Sequence, residues 1–549
     1  MKIPNLYIGG RSFLWFLCLA LLLAGFLSCR KDKVTASPTE TKSSGTAKYV
    51  LPAGTPAQLA ADSLFLYAKT AYLWNAQLPS YEDFNARQFV RSDLESTFNS
   101  ELLSLTRYAI NPETGKPYEY KDDDAQTPKY SYVFNSSNAN PVASVPQAKS
   151  SVDLEGNGYD FGFMVGLFPV SAGVYNVRVE AVYKGSPADA AGIKRGDVFR
   201  AVNGQQVTSN FTQAKVDFLN NALFSSPGIQ LQVYRSSTGK TFGASLSRTA
   251  YSSNPVYRDT VYNAGNKKIG YLALARFSAL ANARLPLDNA FRKFATAGVT
   301  NLIVDLRYNG GGYVGTAEYL TELIAPSGLN GKVMYTERFN ESLQKGDKGI
   351  LSAQPSPDGN GLPRYTTGGR LITYADHDYS EKANTNVFDK KGSLSGVQKV
   401  VFIVTGNTAS ASELVINSLK AYPTSIDVKI VGQKTYGKPV GFFPIKISGY
   451  EIYFSMFETR NAAGQGGYYT GMVPDYISGD DSTVDFGELR ESSTANAYNY
   501  LVNGTFAVSA AKTSAASSVS EVKGEAGNFK LLNQEFKGMI ENRSKLVGD

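Results

Sequence analysis

From about residue 255 to 505 the sequence alternates strand and helix signals, and that order constrains the fold more than any other feature. KKIGYLALARF, LPLDNAFRKFATAG, TNLIVDLRYNGGG, GTAEYLTELIAP, VQKVVFIVTG, SASELVINSLKAY and DVKIVGQ follow one another. Such an order predicts an α/β layer built on a largely parallel sheet. A stretch from about 335 to 395, holding SPDGNGLPRYTTGG, is too long for a simple loop and reads as an insertion near any site on that layer. FPIKISGYEIYFSMFETR reads as a hairpin, and a final helical pattern follows it. Residues 506–549 read as a Ser/Ala-rich linker and a short tail with Phe529, Leu532 and Phe536 at helical spacing.

A chain of 549 residues exceeds one compact core, and 42% hydrophobic with 19% charged residues is a globular balance, so an α/β multi-domain protein is expected. Residues 57–145 read as a small helical domain: AQLAADSLFLYAKTAYLW and RSDLESTFNSELLSLTRYAI repeat apolar residues at three- and four-residue spacing. The acidic run Asp122 to Asp124 reads as a solvated turn, because the glycine and distal glutamate of a calcium hand are absent. Residues 155–250 are β-rich, with VYNVRVEAV alternating in character and IQLQVYR after it.

At the N-terminus, Lys2 and Arg11 precede an apolar run from Phe13 to Leu27, then Ser28-Cys29. This is the pattern of a secretory signal, and about 15 apolar residues fall short of the ~20 that a spanning helix needs. GFLSC resembles a bacterial lipobox, which implies that residues 1–29 are a signal peptide and that Cys29 is lipidated. The expected location is then a membrane-anchored lipoprotein, periplasmic or at the outer membrane. Residues 30–56, rich in Ser, Thr, Lys and Pro, read as a flexible tether. Cys18 lies in the segment to be removed, so no disulfide, cysteine nucleophile or Cys-rich zinc site is expected. The single histidine, His377, excludes a multi-His metal site; neither a metal nor a cofactor is expected. A net charge of +7 without a basic block gives no support for nucleic acid as a partner.

Three segments of the α/β region can carry chemistry. VVFIVTG is a buried-type strand that turns through NTAS, placing Ser410 at a helix start on the carboxyl edge of the sheet, where open α/β sheets hold their sites. Ser410-Ala-Ser-Glu413 also satisfies a capping box, and Thr408 and Ser412 are rival hydroxyls. The glycines at 310–312 can approach a substrate closely. Lys438 lies just past a strand; Pro439 biases it toward an extended backbone, and Val440, Phe442 and Phe443 can supply the dry surroundings a basic amine requires. A lysine in a loop can equally be a solvated one.

GSPADAAGIKRGDVFRAVNGQQV, Gly185 to Val207, resembles a circularly permuted PDZ domain of bacterial proteases through Pro187, Gly192, Gly196, Asp197 and Asn203-Gly204. YDFGFMV then resembles its carboxylate-binding loop, with Gly162 permitting the bend and Phe161 and Phe163 flanking a peptide pocket. DLRYNGGG, NTASASE and Gly432, Thr435, Gly437, Lys438 in that order, with GMVPD at 471–475, resemble the carboxyl-terminal processing peptidases, or tail-specific serine proteases. The resemblance implies a protease core of the ClpP/crotonase-like type over 255–505. It also implies Ser410 as nucleophile, Lys438 as general base, and an oxyanion hole from Gly311 and Ala411. Protein or peptide substrates, recruited by unstructured C-terminal tails, are the partners so implied. Phe442 stands where many members carry a glutamine that orients the lysine, and Pro439 where glycine is usual; the Ser-to-Lys interval is longer by a few residues. These departures motivate the alternative of a catalytically inactive peptide-binding lipoprotein. A penicillin-binding acyltransferase, suggested by SLQK at Ser342 to Lys345, lacks its accompanying KTG.

Overall fold

The computed structural model describes residues 52–135, 152–171, 174–358, 362–506, 537–541 and 546–547. The signal segment, Cys29, most of the tether, and Phe529, Leu532 and Phe536 lie outside the described residues. In chain order the elements used below are α1 (Pro56–Ala71), α2 (Leu94–Leu105), β1 (Tyr132–Asn135), β2 (Phe163–Ser171), β3 (Val174–Val182), β4 (Asp197–Val202), α3 (Gln213–Phe224), β5 (Gly228–Arg235) and β6 (Lys240–Ser247). The next are β7 (Val256–Ala264), β8 (Lys267–Leu274), α4 (Leu280–Ala297), β9 (Asn301–Asp305), β10 (Gly311–Tyr313), α5 (Val314–Ile324), β11 (Val333–Phe339), β12 (Thr385–Val387), β13 (Lys399–Val404) and α6 (Ala411–Lys420). The last are β14 (Asp427–Gly432), β15 (Val440–Gly441), β16 (Ile445–Ile447), β17 (Tyr450–Tyr453), β18 (Phe457–Asn461), β19 (Tyr476–Ile477), α7 (Ser492–Asn503) and β20 (Gly538–Ile540).

The main sheet runs β7-β8-β9-β13-β14-β19, parallel throughout except for the β7–β8 pair. Its central strand explains the all-apolar reading of VVFIV. Val400, Val401, Phe402 and Ile403 are all fully buried, because helices cover both faces of a parallel sheet. Each such side chain contributes about 1.5–3 kcal/mol of burial, which leaves no room for a polar residue mid-strand. Register pairs Asp305 with Ile403 and Val404 with Gly432, so the segments after β9, β13 and β14 leave the sheet at one carboxyl edge.

The region expected as a helical domain contributes more than helices. Thr55 and Gln58 form a capping box with Pro56 opening α1, and Asp93 caps α2 through the Ser96 N–H. The buried stripe of α1 (Ala61, Leu64, Phe65, Ala68) then joins one apolar cluster with Leu272, Leu302, Phe454 and Phe457 of the α/β layer. β1 pairs antiparallel with β17, Tyr132 opposite Tyr453. The described residues accordingly form one compact unit. Helices this short bury their stripe only against a larger body.

The module at 155–250 is a five-stranded path β2-β3-β4-β5-β6 covered by α3, with its own core of Phe163, Val177, Val179, Phe199 and Leu219. Met164 and Ala181 face the other way and pack with Ile269, Tyr271 and Ile303 of the main sheet. The 335–395 stretch begins inside β11, which pairs with β12 and β18, so part of it is sheet. The expected hairpin forms between β16 and β17; β18 then leaves to a different sheet.

Candidate active site

Ser410 stands where β13 turns into α6, with φ +60° and ψ −111°, and its side chain is fully buried. A non-glycine residue there carries strain of about 1–3 kcal/mol. The local polar groups separate the three rival hydroxyls. Thr408 Oγ1 donates to the Leu306 carbonyl at 2.7 Å and accepts from the Thr405 N–H at 3.0 Å. Ser412 Oγ donates to the Asn309 carbonyl at 2.9 Å. Ser410 Oγ, by contrast, is buried without a hydrogen-bond partner. A capping serine would have extended backbone and a bonded hydroxyl. The firm contact of the capping box here is the Ser410 N–H donating to Glu413 Oε2 at 2.8 Å.

Glu413 links both halves of the site. Its Oε2 also accepts the Lys438 N–H at 2.8 Å, and its Oε1 accepts the Gly437 N–H at 2.8 Å and the Thr435 hydroxyl. One fully buried carboxylate thus ties the backbone of the serine turn to that of the lysine loop. Burial pushes its pKa up, while these donors oppose the rise. Sequence reading saw Glu413 only as a cap partner.

Lys438 is buried, and desolvation brings its amine down to about 7 against the opposing charges of Glu119 and Glu413. Nζ lies 4.5 Å from the Phe442 ring centroid and 5.7 Å from that of Tyr130. It donates to the Tyr130 carbonyl at 3.1 Å and to the Lys537 carbonyl at 2.9 Å. No hydrogen bond joins it to Ser410 Oγ. Phe442, where a glutamine was a point of comparison, makes one wall of the dry pocket and cannot orient the amine. Tyr130 from the N-terminal region does so instead. Its backbone is held by Glu119, whose Oε2 accepts the Tyr130 and Ser131 N–H groups at 3.3 and 2.8 Å, and its hydroxyl donates to the Gly437 carbonyl at 2.7 Å. No motif marked Glu119 or Tyr130; the β1–β17 pairing and contacts such as that from the Tyr436 hydroxyl to the Lys129 carbonyl bring them here.

Asn309 joins the glycine run to the serine turn: its carbonyl accepts from Ala409 N–H (3.1 Å) and Ser412 Oγ, and its Nδ2 donates to the Leu274 carbonyl at 3.1 Å. Its Oδ1 accepts the Gly311 N–H at 3.0 Å. That contact corrects the expected oxyanion donor. The Gly311 amide is taken up by an Asn side chain two residues back, as Asx turns do. The Gly312 N–H is the one the β10 ladder directs into the cleft. Gly311 and Gly312 adopt φ +113° and +139°. The point a Gly311 Cβ would occupy is 3.1 Å from the Ala411 amide nitrogen and 3.1 Å from Ser410 Cβ. The glycine run, Ala411 and Ser410 therefore meet in one place.

Behind that run, Arg307 pairs with Asp305, Asp480 and Glu491 at 2.6, 2.9 and 3.0 Å. Arg195 of the β-rich module reaches Asp480 and the Tyr308 hydroxyl, each at 2.6 Å. Although burial opposes it, Arg195 and Arg307 hold Asp480 down to about 2. His377 is elsewhere employed: its Nε2 lies 2.8 Å from Ser356 Oγ, and burial lowers it to about 4.

Phe161 and Phe163 do not flank an open pocket. Both are buried, 6.0 Å apart in the module's core. The Gly162 carbonyl accepts from the Tyr183 N–H at 2.8 Å and from Ser186 Oγ at 3.3 Å. A Cβ on Gly162 would lie 1.9 Å from Ser186 Cβ, so the glycine (φ +83°) serves close packing of this loop on Ser186.

Residues 268–478 match Peptidase family S41 and residues 178–215 match a PDZ domain. The chain is 28% identical over 287 residues to carboxyl-terminal-processing peptidase 1, chloroplastic, of Arabidopsis thaliana, covering 51% of this chain and 48% of that one. It is 25% identical over 262 residues to a carboxy-terminal processing protease of Bacillus subtilis, covering 48% and 44%. The chain thus spans about half the length of the curated relatives it matches. A solved structure of an S41 protease from Bacteroides fragilis superposes with TM-score 0.55 at 21% identity, covering 80% of this chain and 97% of the other, a likeness of fold. Residues 268–478 thus match a Peptidase family S41 core, and the segment matching a PDZ domain precedes it in the chain.

Proposed function

We propose that the protein is a serine endopeptidase in which Ser410 is the nucleophile and Lys438 the general base. One observation carries this: the only unbonded hydroxyl of the turn sits at a strained helix start, while Lys438, whose backbone N–H shares the Glu413 carboxylate with the Ser410 N–H, has a buried amine with a pKa of about 7. A neutral amine has two N–H bonds and one lone pair. With its donors on the Tyr130 and Lys537 carbonyls, the lone pair remains for the Ser410 proton. The hydroxyl attacks a peptide carbonyl, the oxyanion rests on the Gly312 and Ala411 N–H groups, and water hydrolyses the acyl-enzyme. Unstructured C-terminal tails, brought by the PDZ domain, are the proposed substrate class. Lipidation at Cys29 would hold the enzyme on a membrane, in the periplasm or at the outer membrane. Incubation with an unfolded protein tests the catalytic claim. Cleavage lost in both Ser410→Ala and Lys438→Ala supports it, and undiminished cleavage in either refutes the dyad.

A further inference from the structure

The cleft described above holds a strand of the same chain. β20 pairs in parallel with β10, Gly538 opposite Gly311 and Ile540 opposite Tyr313. On its other side it bridges to Phe442: the Phe442 N–H donates to the Met539 carbonyl and the Glu541 N–H to the Phe442 carbonyl, both at 3.3 Å. Met539 and Ile540 are buried in the main core. Lys537 is held at both ends. Its carbonyl accepts from Lys438 Nζ, and its own Nζ donates to Asn407 Oδ1 at 2.9 Å and lies 4.4 Å from the Tyr436 ring centroid. Farther along, Leu546 bridges to His377 and the Val547 N–H donates to the Asp376 carbonyl at 3.0 Å. A sheet-edge strand addition of this kind is how proteins hold extended peptides.

The register selects one peptide bond. The Gly538 N–H donates to the Gly310 carbonyl at 3.0 Å, and a parallel ladder then turns the Gly312 N–H toward the Gly538 carbonyl. The Gly538 oxygen lies 2.3 Å from the same point, beside Gly311, that is 3.1 Å from the Ala411 nitrogen and from Ser410 Cβ. The Gly538 carbonyl thus meets the Gly312 N–H on the side of Gly311 that also faces Ala411 and Ser410.

We infer that the C-terminal segment is the enzyme's own substrate, cut by Ser410 between Gly538 and Met539; this rests on the function proposed above. Ser410 Oγ bonds to the Gly538 carbonyl carbon, its proton passing to Lys438. The Gly538–Met539 C–N bond breaks, and Lys438 returns the proton to the Met539 amine. One water then cleaves the Ser410–Gly538 ester, leaving a Gly538 carboxylate and a free Ser410 hydroxyl. The released peptide begins at Met539, and the groove it filled opens to other chains. Because occupant and groove are covalently linked, the tail acts at an effective concentration on the order of millimolar.

The test is the intact mass of purified wild type and of Ser410→Ala, followed with time at two protein concentrations about tenfold apart, with an unfolded protein added to a parallel sample. The expected result is wild type ending at Gly538 and Ser410→Ala retaining the residues from Met539 onward, with a first-order rate independent of concentration. Wild type that keeps those residues, is cut at a different bond, or is cut at a rate proportional to its concentration overturns the inference. Degradation of the added protein separates the two claims. If it proceeds and depends on Ser410 while the tail stays intact, the tail is a blocking strand only and the proposed function stands; if neither is cut, both fall.

Discussion

Replacing Lys438 with Met in a Ser410→Ala background isolates the energetic cost of the buried amine. The amine sits at about 7 instead of 10.5, with desolvation the main cause. At ~1.36 kcal/mol per pH unit, that difference corresponds to about 5 kcal/mol. Below pH 7 the amine is charged in both the folded and the unfolded chain, and the folded state bears the whole cost. Between 7 and 10.5 the unfolded chain binds the extra proton, so stability rises with pH, and above 10.5 the cost is gone. Met carries no proton, so its stability lacks this component. Losing the donors to the Tyr130 and Lys537 carbonyls costs the variant about 1–3 kcal/mol each, an offset that does not change with pH. Denaturant midpoints of the two proteins at about pH 6.5, 8.5 and 10 read the difference. The Ser410→Ala parent should gain on the variant by several kcal/mol across that range. A difference that stays constant, or that moves toward the variant as pH rises, refutes the claim that Lys438 is buried and easily discharged.

Other expectations concern the groups around the amine. Glu413→Gln keeps the size but places an amide nitrogen among four donors, so cleavage of an unfolded protein should fall by ~100-fold or more, with Ser410→Ala-level activity as the floor; unchanged kcat removes Glu413 from the positioning role. Glu119→Ala strips the acceptor from the Tyr130 and Ser131 N–H groups and should cost about 2–5 kcal/mol in stability. Its kcat–pH profile should also shift, because Glu119 is the largest influence raising Lys438; a profile superimposable on wild type contradicts this. Gly311→Ala puts a methyl 2.3 Å from the Gly538 oxygen, so the tail should leave the groove, seen as rapid amide exchange at 538–541, and substrate cleavage should stop. Protection retained there would refute the geometry.

The sequence allowed the α/β layer to be read because each buried strand announces itself by composition and each helix by spacing. Motif context singled out Ser410 and Lys438, and the structure adds why Thr408 and Ser412 differ from Ser410: their hydroxyls are spent on the Leu306 and Asn309 carbonyls. What was not legible depends on pairing across long separations. Glu119 and Tyr130 reach the lysine because β1 joins β17, more than three hundred residues away in sequence. Met539 and Ile540 reach the cleft because β10 offers an open edge. A helical spacing at Phe529, Leu532 and Phe536 carries no sign that the residues just after them form a strand. The same holds for Gly311. A glycine run announces close approach, but which amide is free depends on where the Asn309 side chain turns.

The central claim is a Ser410 hydroxyl made nucleophilic by an uncharged Lys438. Its most direct test is labelling with a serine-directed fluorophosphonate, with the modified residue located by peptide mass mapping. The account predicts a single adduct on Ser410, forming faster as pH rises through about 7, and losing both its speed and its pH dependence in Lys438→Met. An adduct on Thr408 or Ser412, or labelling of Ser410 at the same rate without the lysine, would contradict it.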